Sequence, residues 1–171
     1  MASRRLILRG LAAAGLASLT AACGYRPLYG GGSRGGAVTA ELAKVFVPPI
    51  AERWGQIMRN EMEHSIAAAG RNQPKVYTLD VALTRDSSRI GILKDATATR
   101  ATIQMRANFR LLQGDTVLLQ DRMTALAGYD ILDNQYSTIV AEEAAEDRAA
   151  RDLADRLIQR IAAFLAERAG A

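Results

Sequence analysis

The sequence predicts an α+β domain: a two-layer sandwich of about four mostly antiparallel strands with two helices on one face, in the order β-α-β-β-β-α. Three observations point to it. Residues 76–83, 97–111 and 116–127 alternate apolar with polar side chains at period two. Residues 50–69 and 138–168 instead carry apolar side chains at helical spacing. The composition, 49% apolar and 23% charged over 171 residues, is that of one ordinary folded domain.

The chain opens with an address. Met1 to Arg9 is basic, Gly10 to Ala22 is uncharged, and the small residues Ala21 and Ala22 lead into Cys23. That order is a secretory signal peptide, residues 1–22. Its apolar run is too short for a hydrocarbon core, which takes about 20 helical residues. Thr20-Ala21-Ala22-Cys23 resembles the lipobox of bacterial lipoproteins, with Thr20 where leucine is usual. Cys23 is therefore the expected acylation site, and several acyl chains at about 0.8 kcal/mol per buried methylene give a stable membrane anchor. Ser3-Arg4-Arg5-Leu6-Ile7-Leu8-Arg9 is similar to a twin-arginine export signal and equally fits a plain basic leader. Gly24 follows the cysteine with no aspartate, which under the retention rule some bacteria use sends the protein to the outer membrane.

Residues 23–37 follow as the lipidated terminus and a glycine-rich spacer, and 38–171 as a single domain. Leu42 to Val47 reads as a short strand ended by Pro48-Pro49. The first helix carries Ile50, Trp54, Ile57, Met58, Met62, Ile66 and Ala69 as its apolar face, with Gly70 as a left-handed terminator. Gly55 within it costs about 1 kcal/mol relative to alanine, so a close backbone approach is expected there. In the central strand Ala101, Ile103, Met105, Ala107, Phe109 and Leu111 face one way, and Thr102, Gln104, Arg106, Asn108 and Arg110 the other. Gln113-Gly114-Asp115 is a tight turn. Asp121 interrupts the apolar pattern of the last strand, which suggests a bulge or a partner-facing edge. The final helix has Leu153, Leu157, Ile158, Ile161 and Leu165 as its stripe, and its predicted length, roughly 45 Å, exceeds a small sheet, so one end must overhang, kink or fray. Asp147 with Arg151 and Asp152 with Arg156 are its i,i+4 pairs.

Composition removes several functions. Lys and Arg number 22 against 18 Asp and Glu, but Arg4, Arg5 and Arg9 lie in the leader, so the mature chain is near neutral and no nucleic-acid partner is expected. One cysteine excludes an intramolecular disulfide or a cysteine-based zinc site, and one histidine, His64, removes most metal and triad chemistry. No nucleophile elbow, zincin motif, phosphate loop or dinucleotide fingerprint occurs. Neither an enzyme nor a cofactor or metal is expected.

One local oddity remains: Ile90-Gly91-Ile92-Leu93 is apolar although it lies at the turn between two strands, and Arg85, Arg89, Lys94 and Arg100 surround it. Two readings fit. The segment extends the strand and packs on a helix, or it is a hairpin tip that meets an amphiphile, its cations facing phosphates and its apolar residues acyl chains. Arg106 and Arg110, on the uncovered polar face, join the candidate ligand-binding set.

Three stretches carry a family resemblance. Cys23-Gly24-Tyr25-Arg26-Pro27-Leu28-Tyr29-Gly30, Arg53-Trp54-Gly55-Gln56-Ile57-Met58-Arg59-Asn60-Glu61-Met62 and the Ala/Glu/Arg-rich helix Ala141 to Leu157 resemble the lipopolysaccharide-assembly lipoprotein family LptE. The resemblance implies a non-enzymatic outer-membrane lipoprotein that plugs the LptD β-barrel translocon, assists its assembly and binds lipopolysaccharide. It carries over Cys23 alone as a functional residue. The competing reading is an auxiliary lipoprotein of an inner-membrane lipid transporter, or a pilotin-like chaperone of a secretion channel.

Overall fold

The computed structural model describes residues 33–70, 73–92 and 98–170. Its elements are α1 (Ser33–Leu42), β1 (Val45–Phe46), α2 (Arg53–Ala69), β2 (Tyr77–Ile92), β3 (Ala98–Gln113), β4 (Thr116–Asp130) and α3 (Gln135–Gly170). The strands form one sheet in the order β1-β2-β3-β4, with β1 parallel to β2 and the other pairs antiparallel. This is the predicted α+β class with a third helix added. The predicted signal peptide, Cys23 and most of the predicted spacer lie outside the described residues.

Alternation fixes the layers. Leu79 of β2, Ile103, Met105, Phe109 and Leu111 of β3 and Ala125 of β4 are buried on one face. Against them pack Met58, Met62 and Ile66 of α2 and the predicted stripe of α3, Leu153, Leu157, Ile158, Ile161 and Leu165. Alanines at 145, 149, 150 and 154 are buried as well, and their small side chains let α3 lie close to its neighbours.

The start of the domain differs from the expected linker and strand. Residues 33–42 are helical and the strand shrinks to Val45–Phe46. Val38 and Leu42, one turn apart, are both buried, so tertiary burial overrides the poor helix propensity of Gly35 and Gly36.

Gly55 is where the close approach occurs. A Cβ there would stand 2.7 Å from Cγ2 of Ile50 and 3.3 Å from its carbonyl carbon. Ile50 is buried and β-branched, so it cannot swing aside. Gly55→Ala is expected to destabilise by about 1 kcal/mol, as overpacking outweighs the gain in helix propensity. A urea melt checks this; a raised midpoint is the contrary result. Gly70 ends α2 for a different reason than predicted. Its φ of 163° is extended, not left-handed, and its N–H donates to the Ile66 carbonyl at 3.3 Å. The glycine is needed for room, since a Cβ would lie 3.1 Å from that of Ala43.

At the β3–β4 turn Gly114 has φ 57°, the left-handed geometry that a two-residue hairpin loop requires. The predicted irregularity in β4 is a register shift: Leu111 pairs with Leu119 but Leu112 with Val117, so Leu118 is an extra residue. Beyond it the strand's phase puts Asp121 opposite Phe109, on the helix side. There it accepts from Arg160 Nε of α3 at 3.2 Å. The backbone N–H of Arg122, and then Arg160, hold the Asp121 carboxyl below its ordinary range.

The last helix is 36 residues, about 54 Å, and begins three residues earlier than predicted. Asn134 caps it, its Oδ1 accepting from the Ser137 N–H at 3.3 Å. Of the two i,i+4 pairs, Asp152–Arg156 forms at 2.8 Å, whereas Asp147 turns to Arg53 of α2 at 2.9 Å. Ala145 is the first buried residue of α3, so its opening ten residues overhang the core.

Candidate functional site

The helices cover one sheet face and leave the other open. On that face the register aligns Asp80 with Arg110 and Gln120, Ala82 with Asn108 and Arg122, and Thr84 with Arg106 and Thr124. The side chains close into cross-strand pairs. Arg110 meets Asp80 at 3.3 Å, Arg106 meets Asp86 at 2.8 Å and donates to Gln104 Oε1 at 2.6 Å, and Arg122 Nε donates to Asn108 Oδ1 at 2.7 Å. Such pairs stiffen a sheet by fractions of a kcal/mol each. A shallow groove of about 770 Å³ crosses this region and is rimmed by Pro48 and Pro49. The face is a ready hydrogen-bonding surface with no buried reactive group.

Five of the six predicted cations lie among the described residues, and they fall into three places. Arg106 and Arg110 are on the open face. Arg85 points to the helix side, where it bridges Glu142 and Glu146 of α3, the latter at 2.8 Å from Nε. Arg89 and Arg100 are exposed near the far end of the β2–β3 hairpin, with Arg100 Nε 3.7 Å from Asp130. Lys94 and the tip, residues 93–97, lie outside the described residues. The backbone continues as strand to Ile92, which pairs with Ala98, beyond the last β4 partner, Asp130 opposite Arg100. The hairpin therefore extends past β4.

Arg85 thus fastens the overhang of α3 to the sheet. Tyr129 stands beside the same bridge, its hydroxyl pushed up by burial and by the charge of Glu142. Arg85→Met leaves two partly buried carboxylates side by side without their cation. It is expected to destabilise by about 1–2 kcal/mol, discounted for partial solvent screening. Recovery of the urea midpoint when Glu142→Gln and Glu146→Gln are added identifies the cause.

At the opposite end a second polar cluster holds α1. Glu41 accepts from Lys44 at 2.6 Å and from the Tyr77 hydroxyl at 2.9 Å. The Lys44 hydrogen bond holds the Glu41 carboxyl below its ordinary value, so this clip is lost as pH falls into the acid range. Burial and Glu41 push the Tyr77 hydroxyl up.

Sequence reasoning missed two features. Arg122 joins the open face and has no carboxylate partner among the described ion pairs; its orientation depends on the extra residue Leu118. The start of α3 and the segment before it expose Leu132, Tyr136, Ile139 and Val140, a patch that the later predicted helix start hid. Among the described residues no group of His, Cys, Asp or Glu could hold a metal ion. No described helix is long and apolar enough to cross a membrane.

The family model for lipopolysaccharide assembly, LptE, matches residues 42–161. No curated protein gives a significant sequence match. Among solved structures, a candidate lipoprotein from Caulobacter crescentus CB15 aligns with TM-score 0.65 and 24% identity, covering 78% of this chain and 98% of that one. A minor lipoprotein from Acinetobacter baumannii aligns with TM-score 0.54 and 16% identity over 70% and 88% of the two chains. Rare lipoprotein B from Shewanella oneidensis gives TM-score 0.54 and 9% identity over 70% and 92%. At these identities the likeness is one of fold.

Proposed function

Because the chain belongs to the LptE lipopolysaccharide-assembly family, we propose that it works as an outer-membrane lipoprotein, lipid-anchored through Cys23 on the periplasmic side, that plugs the barrel of an LptD-like translocon, assists its assembly and binds lipopolysaccharide. The role is one of binding, without catalysis. The observation that carries the reading is the open sheet face. Its paired side chains from Asp80 to Arg122 offer donors and acceptors across three strands, and the lumen of an outer-membrane barrel is a polar wall that needs such partners. An anchored domain with one apolar-packed face and one hydrogen-bonding face suits a water-filled tube better than free solution requires.

Lipopolysaccharide binding is assigned to the hairpin end. Arg89, Lys94 and Arg100 supply cations for the phosphates of lipid A, guanidinium groups being suited to bidentate phosphate contacts. Arg85 serves them by position, fixing β2 to α3, and Arg106 and Arg110 are assigned to the barrel wall.

Two experiments test this. Tagged full-length protein drawn from solubilised outer membranes is expected to bring a large β-barrel in stoichiometric amount; recovery of inner-membrane transporter subunits instead overturns the plug. Arg89→Glu with Lys94→Glu is expected to weaken lipopolysaccharide binding by about tenfold, roughly 1.4 kcal/mol, with an unchanged urea midpoint. Unaltered binding by that variant removes the hairpin end from the ligand site.

A further inference from the structure

We propose that the overhanging first turns of α3 form a second docking surface, whose occupant is a protein pocket with an apolar centre and a basic rim on the barrel partner; this rests on the plug reading above. Tyr136 is 75% exposed, Leu132 50%, Ile139 48% and Val140 45%. Spaced at i, i+4, i+7 and i+11, Tyr136, Val140, Glu143 and Asp147 share one side of the helix. Asp147 is met by Arg53, the first residue of α2, at 2.9 Å. Beyond that contact Glu143, Val140 and Tyr136 are all exposed, so the apolar residues continue a packed helix face past the end of its partner.

The overhang is held firmly. Arg85 ties it to β2 through Glu142 and Glu146, Asn134 caps its first turn, and Thr138 Oγ1 accepts from the Leu132 N–H at 2.9 Å. A surface already ordered in the free protein loses little conformational freedom on binding, and an exposed tyrosine within an apolar cluster is the residue type that anchors interfaces.

Charge selects among occupants. Asp133 and Glu143 border the patch, both exposed and in none of the described ion pairs, while the exposed cations Arg89 and Arg100, the latter paired with Asp130, stand toward the hairpin end. These two carboxylates attract a cationic protein rim, and lipid phosphates are left to the neighbouring hairpin cations. Nor is the chain's own start near: Ala37 of α1 lies beside Leu165 and Ala169, at the far end of α3. A terminus cut at Cys23 adds ten residues before Ser33, a span of at most about 35 Å. Tyr136 is 29 helical residues from Leu165, about 44 Å.

The test places a photo-crosslinking amino acid in the full-length acylated protein in cells, at Tyr136 and, separately, at Asn108 on the open sheet face. Barrel adducts are expected from both positions. Asp133→Lys with Glu143→Lys is expected to cut the Tyr136 adduct at least fivefold and leave that from Asn108 unchanged. A barrel adduct from Asn108 with none from Tyr136 overturns this inference and leaves the plug reading standing. So does a Tyr136 adduct confined to lipopolysaccharide or to a second copy of the chain. Absence of barrel adducts at both positions removes the plug reading and the inference with it.

Discussion

Phe109→Ala is expected to lower the unfolding free energy by about 3–5 kcal/mol, a large part of the 5–15 kcal/mol typical of a domain. Phe109 is 1% exposed. It lies on β3, which is paired on both sides, opposite Val81 of β2 and Asp121 of β4. Its ring fills the space between the sheet and the helical layer, and alanine leaves a cavity that paired strands cannot close. Urea denaturation followed by circular dichroism should show a much lower midpoint with an unchanged slope. Phe46→Ala supplies the contrast. That ring is 43% exposed on the two-residue strand β1, so its loss should cost under about 1 kcal/mol. Equal effects at the two positions would mean that the layers are assigned wrongly.

Cys23→Ala is expected to abolish acylation and release the protein from the membrane. Two or more chains hold a lipoprotein because each buried methylene contributes about 0.8 kcal/mol, and the substitution removes all of them together. Labelled palmitate should be incorporated by the parent chain and absent from the variant. The variant's thermal unfolding should match the parent's, since the described core is built from Val38 onward. Undiminished label in Cys23→Ala would place the lipid elsewhere.

Much of the fold was legible because its signals are local and repeated. Period-two alternation on β3 runs without a break from Ala101 to Leu111, and every residue predicted to face the core there is buried. The α3 stripe from Leu153 to Leu165 repeats at helical spacing and is likewise buried. Where burial overrides local preference, the sequence misled. α1 contains adjacent glycines that read as a spacer, and its packing against α3 and α2 makes it a helix. The phase of β4 turns on the single extra residue Leu118, which leaves no signature in composition.

The candidate site was less legible for the same reason. A run of cations around an apolar tip shows that charges cluster in the sequence, but not which ones already have partners. Arg85 and Arg89 are four apart on one strand and share a face, yet Arg85 is held by Glu142 and Glu146, 57 and 61 positions away, while Arg89 is exposed. Long-range pairing of this kind depends on where α3 crosses β2. The overhang itself followed from arithmetic on helix length, although which end projects did not.

Among the described residues β4 has no neighbouring strand on its outer flank. In a strand of fifteen residues the outward-facing amides and carbonyls, those of alternate residues, would ordinarily template aggregation, each chain adding a strand to the next. Here Arg148 reaches from α3 to donate to the Gly128 carbonyl at 3.0 Å, and the extra residue at Leu118 bends the other end of the strand out of line. The chain thus carries its own guard against runaway strand addition at this edge.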